Sequence, residues 1–208
     1  MNKRLTKITE YISKNDSVID VGCDHGYLTI YLYKYKLYKN VFGSDISKNA
    51  LEYAINNSKK ENLDIKFYVS DGLKDIKDYY DTIVISGMGT HTIMNILSNR
   101  ELPNKIILSS NNDYYILRKF MYSLGYNISK EDIVKENNKY YDIICFIKGK
   151  KNIKKKDLIL GFHNNIDYYN YLINKNILIM KKVPLKKKLQ LLKENKLMKK
   201  KISLIEKM

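Results

Sequence analysis

The chain has 208 residues, 44% of them hydrophobic, which suits one domain with a sizeable core plus an appendage. Its two cysteines, Cys23 and Cys145, are far apart and indicate neither a disulfide framework nor a metal site, so we expect no bound metal. Residues 1–5 contain no signal-like apolar run, and no stretch reaches the ~20 apolar residues of a membrane span. We therefore expect a cytoplasmic protein without a membrane partner.

The net charge of +16 is concentrated at one end of the chain. Residues 148–208 hold 18 lysines and four acidic residues, a charge of +14, whereas residues 1–147 hold 20 basic and 18 acidic residues, a charge of +2. A general bias toward lysine would spread along the chain and would not remove acids from one end. The distribution favours a polyanionic partner, and nucleic acid is the first candidate. A solvated helical face without a partner is the alternative.

The apolar pattern of the first 148 residues predicts helices and strands in alternation. Helices are expected at 3–14, 25–36, 48–60 (with Ser47 as N-cap), 92–98 and 113–124. Strands are expected at 17–22, 41–46, 64–69, 81–86 and 105–109, followed by a pair at 127–135 and 140–148 around a turn at 137–139. This order predicts a mostly parallel sheet covered by helices on both faces, with one antiparallel member from the closing pair.

A charged run at 149–156 predicts a boundary between two domains, 1–149 and 150–208. Beyond it, helices are expected at about 164–181 and 185–206, separated by Val183 and Pro184. Two series of residues recur every seven positions and predict that these helices pack as an antiparallel, coiled-coil-like hairpin. The series are Leu191, Met198 and Ile205, and Leu178, Leu185 and Leu192.

The first predicted strand ends in a glycine turn that leads directly into a helix, with Gly22, Asp24 and Gly26 as its landmarks. Such a turn lets backbone N–H groups approach a ligand closely. A dinucleotide fingerprint requires a glycine where Asp24 stands, and a carboxylate there would repel a pyrophosphate. This disfavours a nicotinamide dehydrogenase and favours a ligand with an amine or a sulfonium, such as S-adenosylmethionine. An ordinary strand-to-helix turn is the alternative.

Acidic residues follow successive strands of the predicted sheet. Asp20 lies within the first strand and Asp24 after it, while Asp45 ends the second strand and Asp71 follows the third. In open α/β sheets, ligands bind outside the carboxyl ends of the strands. Asp45 occupies the place where an acid binds ribose hydroxyls, and Asp71, beside Gly72, is placed to accept an adenine amino group. The pattern predicts one adenosine site, although any single strand-end aspartate often serves only a turn.

Seven strands that end in a hairpin are typical of Rossmann-like class I methyltransferases. In that architecture the loop after the fourth strand faces the methyl group, and here it is expected to be Gly87, Met88 and Gly89. The glycines would let backbone carbonyls approach a substrate base, and Met88 would pack on its ring. A plain flexible loop is the alternative.

Several motifs resemble the TrmK family of bacterial tRNA (adenine-N1)-methyltransferases over nearly the whole chain. The most specific is the family's D-x-G-x-D-H-x-Y-L. The matching residues are Arg4-Leu5; Asp20, Gly22, Asp24, His25, Tyr27 and Leu28; Asp71-Gly72-Leu73; Gly87-Met88-Gly89; Leu117-Arg118-Lys119; Glu131-Asp132-Ile133; and Tyr141-Asp142. The chain departs from the family at Asp45, which is usually Glu, at Thr90, which is usually Gly, and at Ser109-Ser110-Asn111, which is usually Gln-Pro-Asn.

The resemblance implies methylation of N1 of adenine 22 in tRNA, with S-adenosylmethionine as cofactor and no essential strong general base. It implies catalytic roles for Asp24, His25 and Asn111, with His25 as a candidate base or base-orienting group. The implied cofactor contacts are Asp20, Gly22, Asp24, Asp45, Ile46, Asp71, Gly72, Gly87 and Met88. The implied substrate contacts are Arg4, Tyr27, Gly89, Lys181, Lys182, Lys186, Lys187 and Lys188, with Tyr27 stacking on a flipped base and the lysines on phosphates.

Two alternatives of different kinds remain open from the sequence. One is a methyltransferase for another RNA or for a small molecule, although a small-molecule enzyme would not need a lysine-rich tail. The other is a catalytically silent RNA-binding module, which Ser109 and Ser110 leave open because they replace the family's Gln-Pro. We also expect the chain to be a monomer.

Overall fold

The computed structural model describes residues 1–35, 40–98, 100–149 and 151–207. It divides into two compact units, Met1–Lys151 and Asn152–Met208. The first unit contains the sheet and its helices, and the second contains helices only. Within the described residues, none of the helices combines the length and apolar character needed to cross a bilayer.

The first unit alternates strands with helices as expected. Its helices are α1 (Lys3–Thr9), α2 (Tyr27–Tyr35), α3 (Lys48–Lys60), α4 (Thr90–Leu97) and α5 (Tyr114–Ser123). Its strands are β1 (Val18–Val21), β2 (Val41–Asp45), β3 (Phe67–Val69), β4 (Thr82–Met88), β5 (Lys105–Ser110), β6 (Tyr126–Glu136) and β7 (Lys139–Lys148). Residue 36, the expected end of the second helix, lies outside the described residues.

The seven strands form one sheet in the order β3-β2-β1-β4-β5-β7-β6. Strands β1 to β5 run parallel, and β7 lies antiparallel between β5 and β6. This confirms the predicted Rossmann-like methyltransferase fold. The strand order reverses between β1 and β4, where the connections of an open sheet diverge and leave a crevice at the carboxyl ends.

Apolar side chains on alternate positions bury both faces of the sheet. In β1, Ile19 and Val21 belong to a core that contains Leu117 of α5, whereas Val18 belongs to a core with Ile8 and Leu28 on the other face. Because strand residues alternate between faces, Asp20 shares the face of Val18 and points toward α1 and α2. Both faces are therefore covered by helices, as a parallel sheet requires.

The closing hairpin uses a tight turn at Asn137 and Asn138. Both residues have positive φ, 47° and 60°, which asparagine tolerates and which a two-residue turn of the hairpin type requires. Lys139, expected in the turn, already belongs to β7. The turn therefore sets the register of the β6–β7 pair, in which Glu136 lies opposite Lys139.

Three predicted boundaries in the first unit were wrong. The third strand begins at Phe67 rather than at residue 64. The first helix ends at Thr9 rather than at residue 14, because the following Ser-Lys-Asn-Asp-Ser run favours turns, although Tyr11 and Ile12 are still buried. The fourth strand continues through Gly87 and Met88, which the sequence pattern predicts to lie in a loop. Met88 pairs with Ser110 of β5 after an irregularity, and this pairing keeps the segment in the sheet.

The second unit consists of α6 (Lys155–Leu160), α7 (Ile166–Met180) and α8 (Leu185–Ile205), of which α6 was not predicted. Helices α7 and α8 form the expected hairpin, in which Tyr169, Ile173 and Met198 pack together and Asn176 donates a 2.8 Å hydrogen bond to Asn195. Of the two heptad series, the one containing Leu191 and Met198 is buried. The other was wrong as a packing series, because its three members, Leu178, Leu185 and Leu192, are exposed.

Candidate active site

A cleft of about 840 Å³ opens at the carboxyl ends of β1, β2, β3 and β4. Six residues predicted for the cofactor line it: Gly22, Asp45, Ile46, Asp71, Gly72 and Met88. Its remaining lining residues are Val21, Ser70, Leu73, Lys74, Thr92, Asn95, Ile96, Ser98 and Arg100. The contribution of α4 to this wall was missed from the sequence, because nothing local marks which face of that helix meets the strand ends.

The loop after β1 is held in shape by backbone conformation and by β2. Gly22, Asp24 and Gly26 all have positive φ, at 74°, 50° and 73°. The N–H groups of Gly22 and Cys23 donate to the carbonyl oxygen of Ser44, at 2.7 and 2.9 Å. Both N–H groups are therefore engaged with β2 and are not free to donate to a ligand. The loop therefore shapes the cleft without offering those two donors.

Asp45 has a fixed carboxylate at the end of β2. One oxygen accepts from the backbone N–H of Asp24 at 3.1 Å, and the other from the N–H of Ser47 at 2.9 Å. Each oxygen retains a second lone pair, so the group can still accept hydrogen bonds from a ligand. The next residue, Ile46, is 66% exposed and lines the cleft. Asp45 and Ile46 together place a hydrogen-bond acceptor for hydroxyl groups beside an apolar side chain.

The opposite wall of the cleft combines another acid with apolar side chains. Asp71 forms an exposed ion pair with Lys74, and such a pair contributes little energy and can open. At Gly72 a Cβ atom would lie 2.7 Å from the side chain of Ile96, and φ is +64°, so the glycine is required by packing and by conformation. Ile46, Leu73 and Ile96 therefore bound a slot suited to a flat, partly apolar ring with hydrogen-bond donors at its edge.

Two hydrogen bonds join the end of β4 to the residue after β5. The side-chain amide of Asn111 donates to the carbonyl oxygen of Gly87 at 2.7 Å, and its backbone N–H donates to Met88 at 2.9 Å. Met88 lies across Gly22, where an added Cβ would be 2.1 Å from the Met88 methyl carbon. The segment from Gly87 to Gly89 is thus fixed next to the cleft, although only Met88 of the three lines it.

A buried polar network that the sequence did not predict supports this segment. The Thr90 hydroxyl lies 2.8 Å from that of Ser110, and its backbone N–H donates to the Asn112 side chain at 3.0 Å. The Tyr114 hydroxyl donates to the Ser110 carbonyl at 2.5 Å and accepts from the N–H of Asp142 at 3.1 Å. The only local signal was the unbroken polar run 109–113 after an apolar strand.

The network continues into a buried ion triad. Arg118 donates through Nε to Glu131 at 2.9 Å and through a terminal nitrogen to Asp142 at 2.7 Å. The three side chains are at most 3% exposed. The triad therefore ties α5 to the β6–β7 hairpin behind the polar network.

Asp20 and Arg4 lie on the face of the sheet covered by α1. Asp20 is buried within β1 and is not among the residues that line the cleft, so its predicted cofactor contact stays a prediction. Burial and the nearby Asp45 raise the pKa of Asp20 to about 7, and Arg4 opposes that rise. The Arg4 guanidinium lies 5.0 Å from the centre of the Tyr141 ring, and its nitrogens would be 3.5 Å from a Cβ on Gly87. The Arg4 guanidinium thus lies close to Gly87.

The predicted residues His25 and Tyr27 belong to a cluster of aromatic rings. The His25 ring lies 5.8 Å from the Tyr27 ring and 5.2 Å from the ring of Tyr53 in α3, and its Nε2 is 3.7 Å from an oxygen of Asp24. Tyr27 and Tyr53 are 58% and 59% exposed. His25 thus contacts Asp24 and rings of α2 and α3, whereas Asn111 contacts the end of β4. Among the described contacts, Asn111 is therefore not joined to the other two residues predicted as catalytic, Asp24 and His25. Tyr53 was missed because it lies outside every motif.

The remaining predicted substrate residues are in the second unit. Lys181 and Lys182 lie in the turn between α7 and α8, and Lys186, Lys187 and Lys188 lie in the first turns of α8. Within the described residues none of these five side chains forms an ion pair. Their charges are therefore available to a polyanion.

The residues around the cleft fit an adenosine-containing, positively charged ligand. Carboxylates accept hydrogen bonds from hydroxyl and amino groups and attract a sulfonium, and Asp24, Asp45 and Asp71 supply them on this edge of the sheet. Gly22 and Gly72 have no side chain, so the backbone at these two positions lies directly against the cleft. No three His, Cys, Asp or Glu side chains of the described residues cluster as metal ligands would, and the absence of a metal stays a prediction.

Comparisons with known proteins agree with this geometry. A family model described as a methyltransferase domain matches residues 1–144. A "putative tRNA methyltransferase" of Mycoplasma genitalium is 34% identical over 169 residues, 77% of each chain. The tRNA (adenine(22)-N(1))-methyltransferase of Bacillus subtilis is 29% identical over 159 residues, 73% of this chain and 67% of that one.

Among solved structures, M. capricolum TrmK bound to the cofactor product S-adenosylhomocysteine superposes with a TM-score of 0.86 at 26% identity, covering 99% of both chains. The likeness therefore extends through the second unit as well as the sheet. With the family model and the relatives, it shows that the chain belongs to the methyltransferase-domain family and, within it, to the TrmK family of tRNA methyltransferases.

Proposed function

We propose that the protein transfers the methyl group of S-adenosylmethionine to N1 of adenine 22 in tRNA. The observation that carries the proposal is the position of the fixed Asn111–Gly87 pair directly beside the cleft that holds Asp45 and Asp71. The cleft would bind the cofactor, and the Asn111–Gly87 pair would position the substrate adenine next to the cofactor's methyl group. The names and bound product of the family members cited above support the same chemistry.

The cofactor would be held by residues of β1, β2 and the loop after β3. Asp45 would accept the ribose hydroxyls, because its two oxygens are already oriented by Asp24 and Ser47. Asp71 would accept the adenine amino group while Ile46 and Ile96 enclose the ring. Asp24, which is exposed, would add negative potential near the sulfonium.

The bound cofactor supplies an electrophilic sulfonium methyl, which the N1 lone pair of adenine takes while sulfur keeps the electrons of the broken bond. The protein's contribution is then mainly to position the base, which must first leave its stack. The Gly87 carbonyl, oriented by Asn111, would accept from the adenine N6 amino group and hold N1 toward the methyl. It would also stabilise the positive charge that the base acquires.

His25 is better suited to orient a base than to remove a proton. Adenine N1 has a free lone pair, so the reaction needs no deprotonation before the attack. The His25 ring is packed edge-on against Tyr53 and tilted against Tyr27, which presents two exposed rings for stacking. We therefore assign Tyr27 to base stacking and His25 to holding that ring.

The two units would divide the work, with residues 1–149 binding the cofactor and residues 150–208 gripping tRNA. Lys181, Lys182, Lys186, Lys187 and Lys188 would contact phosphates, which adds affinity and salt dependence without reading sequence. We expect the active species to be a monomer acting in the cytoplasm. Sedimentation of the protein alone and with tRNA tests the monomer.

The deciding experiment is methyl transfer from S-adenosylmethionine to unmodified tRNA, followed by nucleoside mass spectrometry. We expect N1-methyladenosine with wild-type tRNA and none with a tRNA in which adenine 22 is replaced by guanine. Another methylated nucleoside would keep the methyltransferase but contradict the assigned substrate atom. Cofactor binding without any transfer to tRNA would favour a different substrate, and neither binding nor transfer would favour a silent RNA-binding module.

A further inference from the structure

Three leucines of α8 face solvent along one side of the helix. Leu185, Leu189 and Leu192 are 71%, 51% and 52% exposed. Their spacing of four and three residues places them on one face, which we call the leucine stripe. Since a helix turns 100° per residue, the stripe lies roughly 120° around the axis from Leu191 and Met198, which are buried. The packing of the hairpin therefore does not explain these leucines.

The leucine stripe is flanked by lysines and by no acid. Four lysines of α8 lie within about 100° of it around the helix axis: Lys186, Lys188, Lys193 and Lys196. None of the four forms an ion pair with a described residue. Glu194 is the one acid of α8, accepts a hydrogen bond from Gln190 at 2.8 Å and lies about half a turn from the stripe. The surface is apolar in the middle and positive at both margins.

We propose that the leucine stripe packs against base and ribose faces exposed in the loops of tRNA while the flanking lysines bind the adjacent phosphates. This inference rests on the proposed function and adds to it an apolar contact that charge alone does not supply. Leucine side chains are used as apolar wedges against bases in nucleic-acid complexes. Loops and bulges of RNA expose the unstacked bases that such a wedge needs.

Charge decides between tRNA and a second copy of this chain as the occupant. Exposed apolar side chains grouped on one face and bordered by polar residues are a candidate interaction surface. Two copies that meet through the stripe would bring eight unpaired lysines together, which is unfavourable without counter-charges. A polyribonucleotide supplies those counter-charges with its phosphates and the apolar contact with its bases.

The test separates the apolar contribution from the ionic one through the salt dependence of binding. The full-length protein is titrated with unmodified tRNA at several salt concentrations, and log K is plotted against log[salt]. Leu185→Gln/Leu189→Gln/Leu192→Gln should weaken binding about tenfold at every salt concentration and leave the slope unchanged. Lys186→Gln/Lys188→Gln/Lys193→Gln should weaken binding at low salt and reduce the slope by roughly two to three units.

Two control variants exclude a general effect of the substitutions. Leu204→Gln changes a leucine of the same helix that is 55% exposed but lies outside the stripe, so it should bind like the wild type. Replacing the three stripe leucines by methionine keeps an apolar surface and should restore wild-type affinity. Circular dichroism and thermal unfolding should be the same for all variants, since every substituted side chain is exposed or partly exposed.

Failure of the inference can be told from failure of the proposed function. If the glutamine triple variant binds and methylates tRNA like the wild type, the inference is overturned and the function stands. If that variant binds weakly while even the wild type transfers no methyl group, the inference stands and the function fails. Loss of a wild-type dimer in the variant, with unchanged tRNA affinity, would reassign the stripe to contacts between copies and overturn the inference.

Discussion

The side-chain amide of Asn111 holds the carbonyl oxygen of Gly87 through a 2.7 Å hydrogen bond across the ends of β5 and β4. The backbone N–H of Asn111 binds the next carbonyl, that of Met88, at 2.9 Å. Two consecutive carbonyls at the edge of the cleft are thus fixed by one residue. Because the chemistry depends on placing adenine N1 in line with the methyl group, this pair is the most direct link between the fold and the proposed reaction.

Replacing Asn111 by Ala should lower kcat about 100-fold and leave cofactor affinity nearly unchanged. The reason is that a misplaced substrate adenine slows methyl transfer without affecting how the cofactor binds. Steady-state methylation of tRNA and calorimetric binding of S-adenosylhomocysteine measure the two effects. Asn56→Ala, in the exposed part of α3, is the matched control and should behave like the wild type. A variant at Asn111 with wild-type kcat would remove the residue from the catalytic assignment.

Asp45 is predicted to control cofactor affinity. Asp45→Asn removes a charged acceptor and should raise the dissociation constant for S-adenosylhomocysteine about 10- to 100-fold. Calorimetry on the full-length protein gives the constant directly. Asp64→Asn changes an exposed carboxylate before β3, away from the cleft lining, and should have no effect. Equal affinities for the Asp45 variant and the wild type would contradict the ribose assignment.

Tyr27 is predicted to act on the RNA and not on the cofactor. Tyr27→Ala should raise KM for tRNA about tenfold, since one stacking contact is lost, while Tyr27→Phe keeps the ring and should be near wild type. Tyr79, which is 67% exposed and outside the site, provides the control substitution Tyr79→Ala. If Tyr27→Ala instead weakened S-adenosylhomocysteine binding alone, the ring would belong to the cofactor side.

Asp20 should make folding stability depend on pH. Burial raises its pKa to about 7, so the folded protein keeps a proton that the unfolded chain releases near pH 4. Unfolding is therefore favoured as pH rises from about 4 to 7, and this residue should cost up to about 4 kcal/mol across that range. Above pH 7 its contribution is constant.

Urea unfolding of the wild type and Asp20→Asn between pH 4.5 and 8 measures this contribution as the difference between the two curves. The asparagine variant should lack the decline assigned to Asp20, whereas Asp64→Asn should follow the wild type. Parallel curves for the wild type and Asp20→Asn would show that the carboxyl is already ionised in the folded protein at acidic pH.

Arg118 is predicted to matter for stability. Arg118→Met leaves Glu131 and Asp142 buried without their shared cation and should lower the free energy of unfolding by about 3–5 kcal/mol. Replacing all three residues by apolar ones of similar volume should recover much of that loss, because the desolvation cost disappears with the charges. Urea unfolding provides the measurement. A small loss for Arg118→Met would mean that water reaches the triad.

Much of the cofactor site was predictable because its signals are local in sequence. Asp45 is the last residue of β2, Asp71 lies two residues after β3, and both line the cleft. Asp20 also follows the pattern, yet it is buried and does not line the cleft, because the side-chain alternation of β1 turns it toward α1. The wall formed by α4 and the Tyr114–Ser110 contact could not be predicted in this way, because they involve elements that are remote from those acids in sequence.

By itself, the sequence determined the alternation of strands and helices, the closing hairpin, the strand-end acids and the basic C-terminal helices. These follow from hydrophobic period, turn residues and charge, which act over a few neighbouring positions. Only the tertiary structure decided that Asn111 meets Gly87, that Arg118 joins two acids, and which of the two heptad series is buried. Those outcomes depend on strand register and on the rotation of packed helices, which are set by contacts between residues far apart in the chain.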